Sequence, residues 1–344
     1  MSILLEKICC IHWLNNEYLL SKRGRAFYFL NSHYFFDVKN CFIYRALLEN
    51  DYEIYNKYIE YTNQKDHSEE KLKNLLENFE IEKMDKIDVV YNRKWKKFKV
   101  IDGTHRISIL LFKNLISDKI PIEYLRIRYE DEEINQIKEV LRKTKNINYY
   151  NGWNNNRGDY GYHSYKIGNI NLEGQRNPIK RLEKIKEKID FRDKRVIDFG
   201  CNSGGMILHL PEISEGWGFD FSEECIIACK KIRDLLMYNN KVEFIQQDLN
   251  NFDFDNFISE SGVYGVDVIF LLSLGSWIKE WKNIYKRSYE MADKIVLETN
   301  NEREGIEQIE YLRELGGDIE MISESSDDDI TGNRLRKMYI VRKK

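Results

Sequence analysis

From residue 178 onward the chain alternates two hydrophobic periods. In PIKRLEKIKEKI and SEECIIACKKIRDLLMY apolar residues recur every three to four positions, which predicts helices; Pro178 sits in the first turn of one and Ser222 caps the other. Around them lie short, dense apolar runs: RVIDFG, GWGFDF, KVEFIQQDL, VDVIFLLSL, KIVLETN and LRKMYIVRK. These read as strands, and GMILHL begins a helix after the first of them. The alternation predicts an α/β domain with a parallel sheet covered by helices on both faces.

The first half is mixed. SEEKLKNLLENF carries Leu72, Leu75, Leu76 and Phe79 at helical spacing behind an N-cap at Ser68. KIDVVYN, KFKVIDG and IPIEYLRIR read as strands, and THRISILLFKN as a helix opening just after Gly103. The aromatic run RAFYFLNSHYFFDVKNCFIYRALL reads as packing. Between the halves, NINYYNGWNNNRGDYGYHSY (146–165) is rich in Asn, Gly and Tyr and has no helical period, as expected of a linker and binding loop. The expected division is an α+β domain over 1–150, with its core at about 68–129, and an α/β domain over 151–344 whose segment 151–178 binds ligand.

Composition narrows the functional classes. Charged residues make up 32% of the 344 and nearly balance, to a net charge of −3. No global attraction to nucleic acid follows, which leaves only local basic runs. Of these, NRKWKKFK is the stronger; KRLEKIKEK is interleaved with acids and reads as a solvated helix face. No apolar run is long enough to span a membrane, and the start lacks the marks of a signal peptide. The six cysteines show no CxxC spacing, so a reduced, cytoplasmic chain is expected. Cys225 and Cys229 lie one helical turn apart without His or Cys partners and read as packing, as does His209; no metal site is expected. The oligomeric state, homo-oligomer included, stays open.

The chemistry centres on RVIDFGCNSGGM. A P-loop is excluded, because no Lys-Ser or Lys-Thr follows the glycines. In a dinucleotide fingerprint Gly200 and Gly205 fit, but Asn202 holds the middle place, where a side chain obstructs a diphosphate. Asn still accepts the left-handed backbone of a tight turn. The pattern Asp198-x-Gly200-x-Asn202-x-Gly204 resembles motif I of the class I S-adenosylmethionine (SAM) methyltransferases, with Asn replacing one glycine. Further stations follow in order: Asp220 in GFDFS, Asp248 in VEFIQQDLNNF, VDVIFLLSLGSW as a fourth strand, and LRKMYIVRK as an antiparallel strand near the chain end. The resemblance implies a Rossmann-like, mostly parallel seven-stranded sheet and SAM as cofactor. It assigns Asp220 with Phe221 to the ribose and Asp248 with Leu249 to the adenine. A nicotinamide dehydrogenase is the remaining Rossmann reading.

GYHSYKIGNINLEGQRNP (161–178) resembles the YHS…GQR segment ahead of motif I in bacterial methyltransferases of capsule and lipopolysaccharide biosynthesis. That likeness implies a segment closing over the cofactor, with Arg176 pairing the SAM carboxylate and Gln175 bonding the same end. The alternative is a surface loop whose Arg caps a helix. His163 and Glu298 compete as the base for an alcohol nucleophile, and Tyr162, Trp277 and Asn300 are candidates to meet the acceptor. In the first half, FKVIDGTHRISILLFKN resembles the ParB/sulfiredoxin-type fold. His105 and Arg106 at the helix start then make an anion site beside Asp102; the alternative is an internal salt-bridged turn. Sulfiredoxin catalysis would need a cysteine that this turn lacks.

The expected function is a SAM-dependent O-methyltransferase. Its expected partner is a nucleotide sugar, such as a nucleotide-linked heptose, or a glycan precursor of surface polysaccharide. A tRNA or other nucleic-acid methyltransferase and a non-catalytic SAM-binding regulatory module are the alternatives.

Overall fold

The computed structural model describes residues 2–4, 8–13, 28–30, 33–62, 66–92, 97–145, 159–236, 241–330 and 336–343. Residues 25–27 and 31–32 of the aromatic run, residues 93–96 of the basic run and residues 146–158 of the Asn/Tyr-rich stretch lie outside them. The chain divides into two compact units, Met1–Glu130 and Asp131–Lys344.

In the first unit, β1 (Ser2–Leu4), β2 (Ile8–Trp13), β3 (Tyr28–Leu30) and β4 (His33–Asp37) precede three helices, α1 (Phe42–Glu49), α2 (Tyr52–Thr62) and α3 (Glu69–Glu77). Then come β5 (Ile87–Asn92), β6 (Lys97–Asp102), α4 (Thr104–Phe112), β7 (Lys119–Pro121) and β8 (Leu125–Arg128). The described strands form a six-stranded sheet, β3-β4-β2-β6-β5-β8, and a separate β1-β7 pair. Ser68 caps α3, its Oγ accepting from the Lys71 N–H at 3.2 Å. Leu72 is buried against α1 and α4 residues, and Leu76 and Phe79 pack at the edge of that core. Leu75 points outward, because a nine-residue helix buries a stripe narrower than its apolar content.

The second unit starts earlier than the composition suggests. Helix α5 (Asp131–Thr144) packs along α8 (Glu223–Leu236), so the division falls at residue 130 and not near 150. The hairpin β9 (Tyr165–Ile167) and β10 (Ile170–Leu172) leads into α6 (Pro178–Lys186). The alternating body follows: β11 (Arg195–Phe199), α7 (Gly205–Leu208), β12 (Glu215–Asp220), α8, β13 (Lys241–Gln246), α9 (Phe254–Ser261), β14 (Val266–Leu272), α10 (Trp281–Met291), β15 (Ala292–Glu298), α11 (Glu302–Glu314), β16 (Gly317–Ser323) and β17 (Met338–Lys343).

These strands form one seven-stranded sheet, β13-β12-β11-β14-β15-β17-β16. All neighbours are parallel except β17, which runs antiparallel to both β15 and β16. Val196 to Phe199 are all buried, as expected of a central strand covered on both faces. The order reverses at β11: β12 lies on one side and β14 on the other. Such a switch point opens a crevice at the carboxyl ends of the strands.

Three alternate left-handed residues make the turn after β11: Gly200 (φ 75°), Asn202 (φ 48°) and Gly204 (φ 79°). Asn202 supplies the conformation that its residue type allows. Gly204 is fixed by space as well, since a Cβ there would lie 2.9 Å from both Cys229 Sγ and the Phe244 ring. Cys225 and Cys229 are buried under this turn, and the Cys229 thiol donates to the Asn202 carbonyl at 3.2 Å. Among the described residues no helix is long and apolar enough to cross a membrane.

Replacing Gly204 with Ala is expected to destabilise the chain by about 2–3 kcal/mol, from the left-handed backbone and the overpacked Cβ together. Urea unfolding of the variant against the parent measures this; an unchanged midpoint would refute the packing argument.

Candidate active site

A cleft with about 930 Å³ of empty space, part of it open to solvent, lies at the switch point. Its lining comes from consecutive strand ends. After β11 come Gly200 and Asn202; after β12, Asp220 and Phe221; after β13, Gln247, Asp248, Leu249 and Asn250; at the end of β14, Leu272, Ser273 and Leu274. Tyr162, Trp277, Ile278 and Arg336 complete it.

Asp220 is the hinge of this arrangement. Its Oδ2 accepts from the Asn202 N–H at 2.9 Å and its Oδ1 from the Ser222 N–H at 3.0 Å. Burial pushes its carboxyl up to about 6, while the backbone N–H groups of Ser222, Asn202 and Phe221 pull the other way. The two carboxylate oxygens together keep acceptor capacity beyond these N–H groups. Asp248 caps the short helix Leu249–Asn251, accepting from the Asn250 N–H at 3.0 Å. Asn202 does not project across the turn as a dinucleotide reading feared. Its Oδ1 folds back to accept the Ser203 N–H at 2.8 Å.

Two other sequence candidates shape the turn from beneath. Gly204 lies at the start of α7 outside the lining. Asp198 is buried beneath, with Oδ2 lacking a hydrogen-bond partner. Burial pushes its carboxyl up to about 8; the Arg181 charge lowers it and the Asp220 charge raises it. Burial thus favours its neutral, protonated form.

The candidates at the other end are not on the cleft wall. Arg176 is fully buried, with Nε 2.7 Å from Asp328 Oδ2 and Nη2 2.7 Å from Glu298 Oε1. Arg181, which sequence reasoning missed, adds a second guanidinium 3.0 Å from Glu298 and 3.0 Å from Asp328. The Ser326 hydroxyl donates to Glu298 at 3.2 Å, and the Ser273 hydroxyl also donates to it. Burial raises the Glu298 carboxyl, but Arg181 and Arg176 outweigh that and hold it below its usual range. A carboxylate so paired is a poor proton acceptor, which weighs against Glu298 as base, and neither Glu298 nor Arg176 lines the cleft. Gln175 is also buried, its Nε2 3.5 Å from Asp329.

His163 is 3% exposed, and its Nδ1 accepts the Gly205 N–H at 3.2 Å. Burial first, then Arg181 and Arg176, hold it well below its ordinary pKa. It caps the start of α7 as a neutral ring and does not line the cleft. Asn300 spends its side chain bracing the turn after β14: Nδ2 donates to the Ser273 carbonyl at 2.7 Å, and Oδ1 accepts the Ser276 N–H at 3.3 Å. His209 accepts the Lys166 N–H at 3.2 Å and bonds the Gly205 carbonyl at 2.6 Å, a satisfied structural histidine.

Ser273, Arg336, Gln247 and Asn250 line the cleft without having been singled out. Ser273 had a signal in its place at a strand end within LLSLGSW. Arg336 had none. Its Nη1 donates to Ser273 Oγ at 3.2 Å, and its Nε is buried without a hydrogen-bond partner.

In the first unit, Asp102, His105 and Arg106 line a separate open cleft. Asp102 and Arg106 form an ion pair there, in which His105 takes no part. Arg106 Nη2 lies 2.5 Å from Asp102 Oδ2, and Nη1 donates to the carbonyls of Asp85 and Lys86 at 3.0 Å each. His105 Nε2 is 2.8 Å from the Tyr55 hydroxyl, and its ring stacks on His67. The guanidinium thus spends its donors locally, which weakens the expected anion site.

Numbered along the chain within the seven-stranded sheet, the strand order 3-2-1-4-5-7-6 with an antiparallel seventh strand is that of the class I SAM-dependent methyltransferase fold. No protein-family model and no curated protein matches the chain. Among solved structures it is similar to magnesium protoporphyrin IX methyltransferase from Synechocystis PCC 6803 with bound SAM, at 17% identity, covering 48% of this chain and 78% of that one, TM-score 0.37. It is similar to the N-terminal domain of EvdMO1 with SAH bound, at 15% identity, covering 62% and 96%, TM-score 0.43. It is also similar to the bifunctional kinase-methyltransferase WbdD, at 22% identity, covering 49% of this chain and 40% of that one, TM-score 0.37. The alignment thus spans less than half the length of WbdD.

Two predictions follow from the buried charges. Asp198 binds its proton more tightly folded than unfolded, so its contribution to stability falls as pH rises from about 4 to about 8. Asp198→Asn is expected to flatten this part of the melting-temperature profile; a variant losing as much stability as the parent between those limits would count against it. Glu298→Gln leaves Arg176 and Arg181 short of one buried charge and is expected to cost about 3–5 kcal/mol in urea unfolding. A fully stable variant with a selective loss of catalysis would instead restore Glu298 as a base.

Proposed function

We infer that this chain is a SAM-dependent methyltransferase acting on a hydroxyl of a sugar, carried as a nucleotide sugar or glycan precursor. The charge of the switch-point cleft carries the reading. Its lining holds two carboxylates, Asp220 and Asp248, against one guanidinium, Arg336. A diphosphate cofactor would meet net negative charge and a turn whose Asn202 and Ser203 N–H groups are already engaged. A sulfonium donor brings positive charge and a ribose diol, which these carboxylates suit.

Asp220 would hold the ribose with Phe221 beside it, and Asp248 with Leu249 the adenine. The bound donor supplies an electrophilic methyl group. This chain aligns the acceptor and excludes water from it. For the acceptor, Gln247 and Asn250 offer amides that bond hydroxyls, and Trp277 a ring on which a sugar face stacks. A role in surface polysaccharide synthesis is part of this proposal, as is the ParB/sulfiredoxin likeness of residues 68–129, which rests on the strand, turn and helix of Lys97–Asp102 and Thr104–Phe112.

Titration calorimetry with SAM and with NAD is expected to show SAM binding alone, weakened at least about tenfold by Asp220→Ala, the loss expected from a charge-assisted hydrogen-bond pair. Methyl transfer is then screened on nucleotide sugars, heptose included, and on tRNA. Preference for NAD would overturn the cofactor, and transfer to tRNA alone would overturn the sugar.

A further inference from the structure

With His163 and Glu298 engaged elsewhere, the cleft lacks the two bases the sequence put forward. Its lining holds four titratable side chains: Asp220, Asp248, Tyr162 and Arg336. Asp220 and Asp248 are bound by backbone N–H groups where the donor's ribose and adenine would lie, and Arg336 keeps its proton. Tyr162 is fixed by its segment: its carbonyl accepts the Arg176 N–H at 2.7 Å, and its ring meets His163 edge-on at 4.9 Å. It shares the lining with Ser273 and Arg336.

We propose that Tyr162 is the catalytic base of this cleft, its phenolate oxygen taking the proton of the acceptor hydroxyl. The assignment rests on the methyltransferase reading. The acceptor oxygen bonds to the methyl carbon as the carbon–sulfur bond breaks, and the electron pair of that bond stays on sulfur. The proton remains on Tyr162 and leaves to water afterwards.

The charges around Tyr162 suit the role. Burial alone raises a phenol, but Arg176, Arg181 and Arg336 together outweigh it and Glu298 opposes them, so the net shift is downward. Those guanidiniums come from the segment before α6, from α6 itself and from the approach to β17; Glu298 ends β15 and His163 sits beside the ring.

The test follows phenolate absorbance of the full chain from neutral to strongly alkaline pH, in the parent, Tyr162→Phe and Arg336→Met. One of the 22 tyrosines is expected to ionise ahead of the rest in the parent. That early step should vanish in Tyr162→Phe and move to higher pH in Arg336→Met. Superimposable parent and Tyr162→Phe curves would overturn the proposal. Calorimetry with SAH is expected to give equal affinity for the parent and Tyr162→Phe. If the parent itself fails to bind SAH, the methyltransferase reading falls and the catalytic assignment with it, whatever the phenol does. With the nucleotide sugar that accepts methyl, kcat of Tyr162→Phe is expected to drop about 100-fold at unchanged KM for SAM. A kcat within about threefold of the parent overturns the base role.

Discussion

Glu298 ends a parallel strand as a carboxylate that no water reaches, and much of the second unit is arranged around that charge. An ion this deep survives only if its charge and its lone pairs are answered within the protein. Arg176 and Arg181 answer the charge, and the hydroxyls of Ser273 and Ser326 answer the remaining lone pairs. These partners come from four places: the segment before α6, α6 itself, the turn after β14, and the stretch between β16 and β17. One buried carboxylate therefore sets the positions of the segment that covers the glycine turn and of the strand end that faces the cleft.

The same network decides what lies on the cleft wall. Arg176 and Arg181 also pair with Asp328, which leaves Arg176 Nη1 as a buried donor without a hydrogen-bond partner. Arg336 stands only 4.0 Å from Glu298, yet it is the guanidinium that reaches the lining. Its charge, with those of Arg176 and Arg181, lowers the Tyr162 phenol, while Asp220 and Asp248 bring negative charge to the same lining.

The alternating body was legible because its signals are local. Dense apolar runs between helical periods, a capping Ser222 and the left-handed glycines need only neighbours in sequence. Asn202 is the clearest case: its residue type alone foretold the backbone it adopts. Helix α5 carries an acidic start and a basic end, ordinary helix marks, but the sharper change in composition lies in the polar stretch after it, which draws the expected boundary past it. Strand β16 was hidden by composition: GDIEMIS mixes acids with apolar residues, as an edge strand with one exposed rim does.

The site divided along the same line. Residues at strand ends in the glycine half line the cleft, because a parallel sheet gathers its carboxyl ends wherever the order reverses. Arg176 and Glu298 lie off that lining, held by partners remote in sequence. Asp328 lies 152 residues from Arg176, and Glu298 lies 122 from it. A motif match says that an arginine is needed at a position; it does not say whether a ligand or the chain's own carboxylates require it. Here burial decides. A guanidinium with no exposed surface and two carboxylates at 2.7 Å is tied to the chain's own charges, and its field lowers the phenol of Tyr162 in the cleft lining.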